Sequence, residues 1–144
     1  MATKKNGARR IAEVMTPNPI TVERDTRVDE VARLMRDRDI GDVLVTDGGR
    51  LCGIATDRDL VVRFLASPTG EPRLISEFCS SELTTVSPST SDYEAAEIMR
   101  SKALRRLPVV ENGTPVGIVS IGDLARDIAP KSVLASISQA PPNI

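Results

Sequence analysis

The chain has 144 residues, 40% hydrophobic and 27% charged, a soluble globular composition long enough to bury a sizeable core. A net charge of -1, a pI near 5.5 and only 2% aromatic residues argue against nucleic acid as the partner, because neutralising phosphates needs a concentrated basic face and stacking needs aromatic platforms. No apolar run approaches a membrane span, and Met1-Ala2-Thr3-Lys4-Lys5 has no apolar segment behind its charges to make a signal peptide, so the expectation is a cytoplasmic protein without a membrane partner.

Residues 1–9 are polar and basic and read as a disordered tail. Ile11-Ala12-Glu13-Val14-Met15 predicts a short helix, stopped by the turn-rich Thr16-Pro17-Asn18-Pro19, and Ile20-Thr21-Val22 a brief strand. Asp25-Thr26 is the expected N-cap of an amphipathic helix running to Arg38, with Val28, Val31, Ala32, Leu34 and Met35 on its apolar face and Ile40-Gly41 as its break. Val43-Leu44-Val45-Thr46 and Leu51-Cys52-Gly53-Ile54-Ala55 flank Asp47-Gly48-Gly49-Arg50, a hairpin signal. Thr56 then opens a helix through Leu65 that is apolar around much of its girth at Leu60, Val61, Val62, Phe64 and Leu65, so its outer face is expected to meet another chain or repeat. Residues 67–73 read as a linker. Cys52 and Cys79 lie in apolar surroundings and are expected as small buried hydrophobes; with no histidine in the chain, a zinc site lacks its usual ligands and hydrolytic chemistry its commonest base.

After the linker the pattern recurs. Laying Ile11 on Ile75 with a constant offset of 64, positions 11–65 give fifteen identities, where unrelated sequences of that length give about three. Ser91-x-x-Glu94 caps the second amphipathic helix, which is expected to bury Ala95, Ile98, Met99 and Leu104, and Glu111-Asn112-Gly113-Thr114 makes the second hairpin. One copy is small for an independent core, so two copies facing each other are expected to bury their sheets jointly and to form two equivalent clefts. Residues 130–144 are a tail in which Val133–Ile137 predicts a short helix before Pro141-Pro142.

The chemistry sits at one place in each copy. Gly53-Ile54-Ala55-Thr56-Asp57-Arg58-Asp59-Leu60 recurs as Gly117-Ile118-Val119-Ser120-Ile121-Gly122-Asp123-Leu124. A strand ending in Thr or Ser at a helix start aims a hydroxyl and free backbone N–H groups at one spot, where the helix dipole favours an anion. An aspartate one turn later offers two acceptor oxygens, which suit a pair of sugar hydroxyls. The same letters, Thr56-x-x-Asp59 and Ser120-x-x-Asp123, are also capping pairs, which need no ligand at all.

These residues resemble a known family. Val14-Met15-Thr16-Pro17, Asp39-Ile40-Gly41, Leu107-Pro108-Val109-Val110 and the two glycine-to-aspartate stretches, in this order and twice over, resemble the cystathionine β-synthase (CBS) domain, and the pair resembles a Bateman module over residues 10–129. The similarity is to free-standing two-CBS proteins of bacteria, including the hypoxic response type. It implies an α/β (α+β) fold of two tandem repeats, residues 10–66 and 74–129, each a short β-sheet with two packed helices, related by a pseudo-twofold axis. It further implies a homodimer built through the helices and clefts that bind an adenosine-containing ligand such as AMP, ADP, ATP, S-adenosylmethionine or NAD. Carried over to this sequence, Thr56 and Asp59 serve one cleft and Ser120 and Asp123 the other, hydroxyl toward phosphate and carboxylate on ribose. Thr21 and Val22, and Thr85 and Val86, line the adenine pockets, and Ile40-Gly41-Asp42 and Leu104-Arg105-Arg106 face the ligand.

The copies differ there. Arg105 and Arg106 bring two permanent charges with forked donors that favour phosphate, whereas Gly41 and Asp42 bring none and Asp42 repels it; Leu44 also replaces the proline kept as Pro108. The Ser120/Asp123/Arg105/Arg106 cleft is therefore expected to carry the phosphate, and the Thr56/Asp59 cleft to be weaker, empty, or suited to a less anionic ligand. A regulatory binding module is the first expectation and a ligand-free interaction dimer the alternative. No Gly-rich phosphate loop, metal-ligand cluster or histidine-activated nucleophile points to an enzyme.

Overall fold

The computed structural model describes residues 9–67 and 73–128. The tail of residues 1–8, most of the linker and the C-terminal tail, where disorder and a short helix were expected, lie outside the described residues. Described elements recur at the offset of 64: α2 (Val28–Arg38) and α4 (Asp92–Lys102), β3 (Asp42–Asp47) and β5 (Arg106–Glu111), β4 (Arg50–Thr56) and β6 (Thr114–Ser120). Both hairpins turn as their glycines require, with positive φ at Gly48 and Gly49 (59° and 86°) and at Asn112 and Gly113 (52° and 81°). The chain divides into two compact units.

The unit formed by residues 19–83, joined by 112–115, has a sheet in the order β2-β3-β4, with β2 (Thr21–Glu23) parallel to β3 and β3 antiparallel to β4. Its core is Val28, Val31, Met35, Val43, Val45, Ala55, Leu60, Ile75 and Phe78. Ile75 and Phe78 come from the start of the second repeat, where a 3-10 turn (Ile75–Glu77) is fastened by Ile75 N–H to Thr26 O (2.8 Å) and Ser76 N–H to Arg24 O (3.2 Å). Phe78 stands edge-on to Phe64, with ring centroids 5.3 Å apart, and the Arg73 guanidinium lies over its face.

The other unit, with residues 9–18, 84–111 and 116–128 described, has a sheet in the order β1-β6-β5, in which β1 (Thr16–Pro17) runs antiparallel to β6. Ile11, Val86, Ala95, Met99, Leu107, Val109, Val119 and Leu124 form its core under α4 and α5 (Ile121–Ile128). Here the visitor is α1 (Ile11–Val14) from the first repeat, held by Ile11 N–H to Thr90 O (2.8 Å) and Ala12 N–H to Pro88 O (3.0 Å). These bonds are the 64-residue images of those at Ile75 and Ser76. Each repeat therefore lends its opening turn to the other repeat's core, and sequence repeats and packing units are different divisions of the chain.

Four local expectations are corrected. Asp25-Thr26 lies in a turn and α2 begins after Arg27, whose guanidinium has no acceptor to offer a backbone N–H; the second copy has Ser91 at the matching position, and its Oγ accepts the Glu94 N–H at 3.1 Å. Asp39, in the left-handed region at φ 53°, ends α2 before Gly41 is reached. Ala32 is exposed, not on the buried face, and Cys52 and Cys79 are half-buried rather than buried. Beyond the single turn α3 (Asp57–Asp59) the predicted helix winds as a π-helix, Leu60–Leu65, with Ala66 N–H reaching Val61 O five residues back at 3.0 Å. It buries Leu60 but leaves Val61, Val62 and Leu65 at 56, 50 and 65% exposure.

Candidate ligand site

In the unit of residues 84–128, β6 delivers Ser120 to the first turn of α5. Ser120 Oγ accepts the Asp123 N–H (3.1 Å) while Asp123 Oδ2 accepts the Ser120 N–H (2.9 Å). This reciprocal pair caps the helix and fixes both side chains without using them up. The hydroxyl keeps its proton to donate, and the carboxylate keeps lone pairs on both oxygens. Asp123 is 9% exposed, and its Oδ1 is met by the Arg126 guanidinium one turn on. Arg105 O accepts the Ile121 N–H at 2.9 Å, which draws Leu104-Arg105-Arg106 to the same helix start. Leu104 is half-buried, and both arginines are exposed. Val86 hydrogen-bonds both ways to β5, through Pro108 O and Val110 N–H, and its side chain is 6% exposed in the core, while Thr85 beside it is exposed. A cavity of about 380 Å³ opens on Asp123 and Arg126 and is otherwise lined by Arg9, Glu13 and Val14.

The unit of residues 19–83 repeats the arrangement. Thr56 Oγ1 accepts the Asp59 N–H (3.1 Å), Asp59 Oδ2 accepts the Thr56 N–H (2.9 Å), and Arg63 Nε stands 3.6 Å from Asp59 Oδ1. Gly41 O accepts the Asp57 N–H (2.9 Å), and Asp42 pairs with Thr56 in the β3/β4 register, so Ile40-Gly41-Asp42 meets the helix start as its counterpart does. Thr21 and Val22 lie on β2 opposite Leu44 and Val45; Thr21 is exposed and Val22 packs partly on the core. The surroundings are acidic. A Cβ on Gly41 would stand 3.3 Å from Asp57 Oδ2, where the other copy places Arg105 beside Ile121.

The structure thus gathers Ser120, Asp123, Leu104 and Arg105 in one unit and Thr56, Asp59, Ile40 and Gly41 in the other. Sequence reading passed over Arg126, Arg63 and the α1 residues Glu13 and Val14. The spacing of an arginine three or four residues after an aspartate on a helix was the available signal for the first two; nothing in the pattern announced that α1 packs with the second repeat.

The family model of the CBS domain matches residues 11–66 and 75–130. The chain belongs to the CBS domain family. It is 36% identical over 115 residues to the CBS domain-containing protein YhcV of Bacillus subtilis, covering 80% of this chain and 82% of YhcV. Among solved structures it is similar to CBSX2 in complex with AMP, with 26% identity and a TM-score of 0.72 over 84% of this chain and 96% of the other. It is also similar to Hypoxic Response Protein I with two coordinated zinc ions, at 29% identity and a TM-score of 0.73 over 82% and 98%. Among the described residues of this CBS pair, no group of three or more Cys, Asp or Glu is placed to hold a metal, and no helix is long and apolar enough to cross a membrane.

Proposed function

We propose that this CBS pair is a regulatory, non-catalytic module that binds an adenosine-containing nucleotide and signals its occupancy through a homodimer. The observation that carries this is the duplicated strand end in which a hydroxyl and a largely buried aspartate are locked together beside the residue that precedes β5 or β3, Ser120/Asp123 with Arg105 and Thr56/Asp59 with Gly41. A similar protein, CBSX2, has been solved in complex with AMP. The carboxylate takes the ribose hydroxyls, and the hydroxyl with the helix start takes phosphate. Arg105 and Arg106 make the Ser120/Asp123 site the phosphate-bearing one, while Asp42 and Asp57 make the Thr56/Asp59 site a poorer host for anions. Free energy for signalling comes from a difference in ligand affinity between two conformations of the dimer.

Thermal stability against AMP, ADP, ATP, S-adenosylmethionine and NAD tests this, on the natural chain and on Asp123→Ala. A ligand at a hundred times its dissociation constant adds about 2.7 kcal/mol, a plain shift. A shift for one ligand that is lost in Asp123→Ala is the expected result. Indifference to every compound favours the second reading, an interaction dimer in which Thr56, Asp59, Ser120 and Asp123 are helix caps alone, a role both complete capping pairs already satisfy.

A further inference from the structure

The carboxylate at the centre of the second-copy site is already engaged. With Asp123 Oδ2 on the Ser120 N–H and Oδ1 on the Arg126 guanidinium, the face a ribose diol needs is held by a charge-assisted contact. Arg126 is not locked in place: 45% of its side chain is exposed, against 10% for Asp123, and it borders the same cavity as Arg9. Arg9 is engaged there by Glu13, at 3.6 Å. The first copy has a looser counterpart, Arg63 to Asp59 at 3.6 Å, one residue further along the chain because Val62 stands where the second copy has Arg126.

We propose that Arg126 is a specificity-determining residue: it withholds Asp123 from a bare nucleoside and releases it to a nucleotide, whose phosphate takes the displaced guanidinium. This rests on the nucleotide site proposed above. Two sugar hydroxyls are neutral donors, so exchanging them for Arg126 on Asp123 replaces a charged hydrogen bond by weaker ones and leaves a guanidinium without its anion. A phosphate reverses the balance, because it accepts both prongs of the guanidinium fork as the ribose takes the carboxylate. Selection for the phosphate therefore begins at the sugar-binding residue, in addition to Arg105 and Arg106 at the loop. Arg63, farther from its carboxylate, exerts a weaker selection.

Isothermal titration of the full chain with adenosine and with AMP tests this, using the natural chain, Arg126→Met, which keeps an apolar stem of similar reach, and Arg126→Lys, which keeps the charge. In Arg126→Met the ratio of AMP to adenosine affinity at the tighter site falls by roughly tenfold, with adenosine binding unchanged or improved, and Arg126→Lys restores part of the ratio. AMP binding with the ratio unchanged in Arg126→Met overturns the proposal and leaves the nucleotide site standing. If the natural chain binds neither compound, both fail.

Discussion

The sulfur of Met15 occupies the place where a side chain on Gly117 would begin, and Cys79, 64 residues after Met15, does the same to Gly53. A Cβ on Gly117 would also lie 2.9 Å from Thr16 O, and one on Gly53 would lie 2.6 Å from Cys79 Sγ and 3.1 Å from Ser80 O. Gly117→Ala is expected to cost about 1–3 kcal/mol, and more than Gly53→Ala, because its backbone obstacle, Thr16 O, is nearer than Ser80 O and backbone yields less easily than a side chain. Urea unfolding measures both. In a Met15→Ala background the cost of Gly117→Ala shrinks without vanishing, since Thr16 O stays in place.

Asp92 stands at the first turn of α4 with no exposed surface. Its Oδ1 accepts the Tyr93 N–H at 2.8 Å, and its Oδ2 has no hydrogen-bond partner among the described residues. The 64-residue counterpart is Val28, a core residue of the other unit. Asp92→Val should raise stability by about 1–3 kcal/mol by removing an unsatisfied buried acceptor while filling the same space. A higher urea midpoint with an unchanged slope is the expected result; a lower midpoint would mean the carboxylate is stabilising.

Glu23 is held below its ordinary value of 4.5, first by the Thr46 hydroxyl and then by the Gly48 N–H. A carboxylate lowered on folding adds stability that is present above about pH 4.5 and is lost as pH falls through the native value. Thr46→Val removes the larger cause, so the Glu23 titration moves up toward 4.5 and this part of the acid loss shrinks. Carboxyl NMR against pH follows the shift directly.

Val61, Val62 and Leu65 form an exposed apolar face on the π-helical segment. If that face is where the proposed dimer closes, Leu65→Glu gives a monomer by light scattering at micromolar concentration, while its circular dichroism stays that of the natural chain. A natural chain that is already monomeric there would count against the homodimer.

Much of this fold was legible because local rules and global packing agree. The three-and-four spacing of Val28, Val31 and Met35 names the buried face of α2, and Gly49 and Gly113 name the turns. The hydroxyl-to-aspartate spacing located both capped helix starts to the residue. What stayed hidden depends on partners distant in the chain. Ile75 docks on Thr26 O and Ile11 on Thr90 O, each across a separation that no local pattern announces. Asp39 and Ala103 both end their helices in the left-handed region, a conformation that alanine advertises least of all.

The lending of α1 to the second repeat sets an order of events at the ribosome. Residues 19–83 hold nearly all of one core and can close once Phe78 has emerged, but Ile11, made before any of them, shares a core with Leu107, Val119 and Leu124, made among the last of the described residues. During synthesis the opening turn must therefore wait, with its apolar side uncovered, through more than a hundred residues of elongation. Of the two opening turns, the one made earlier is the later to find its place.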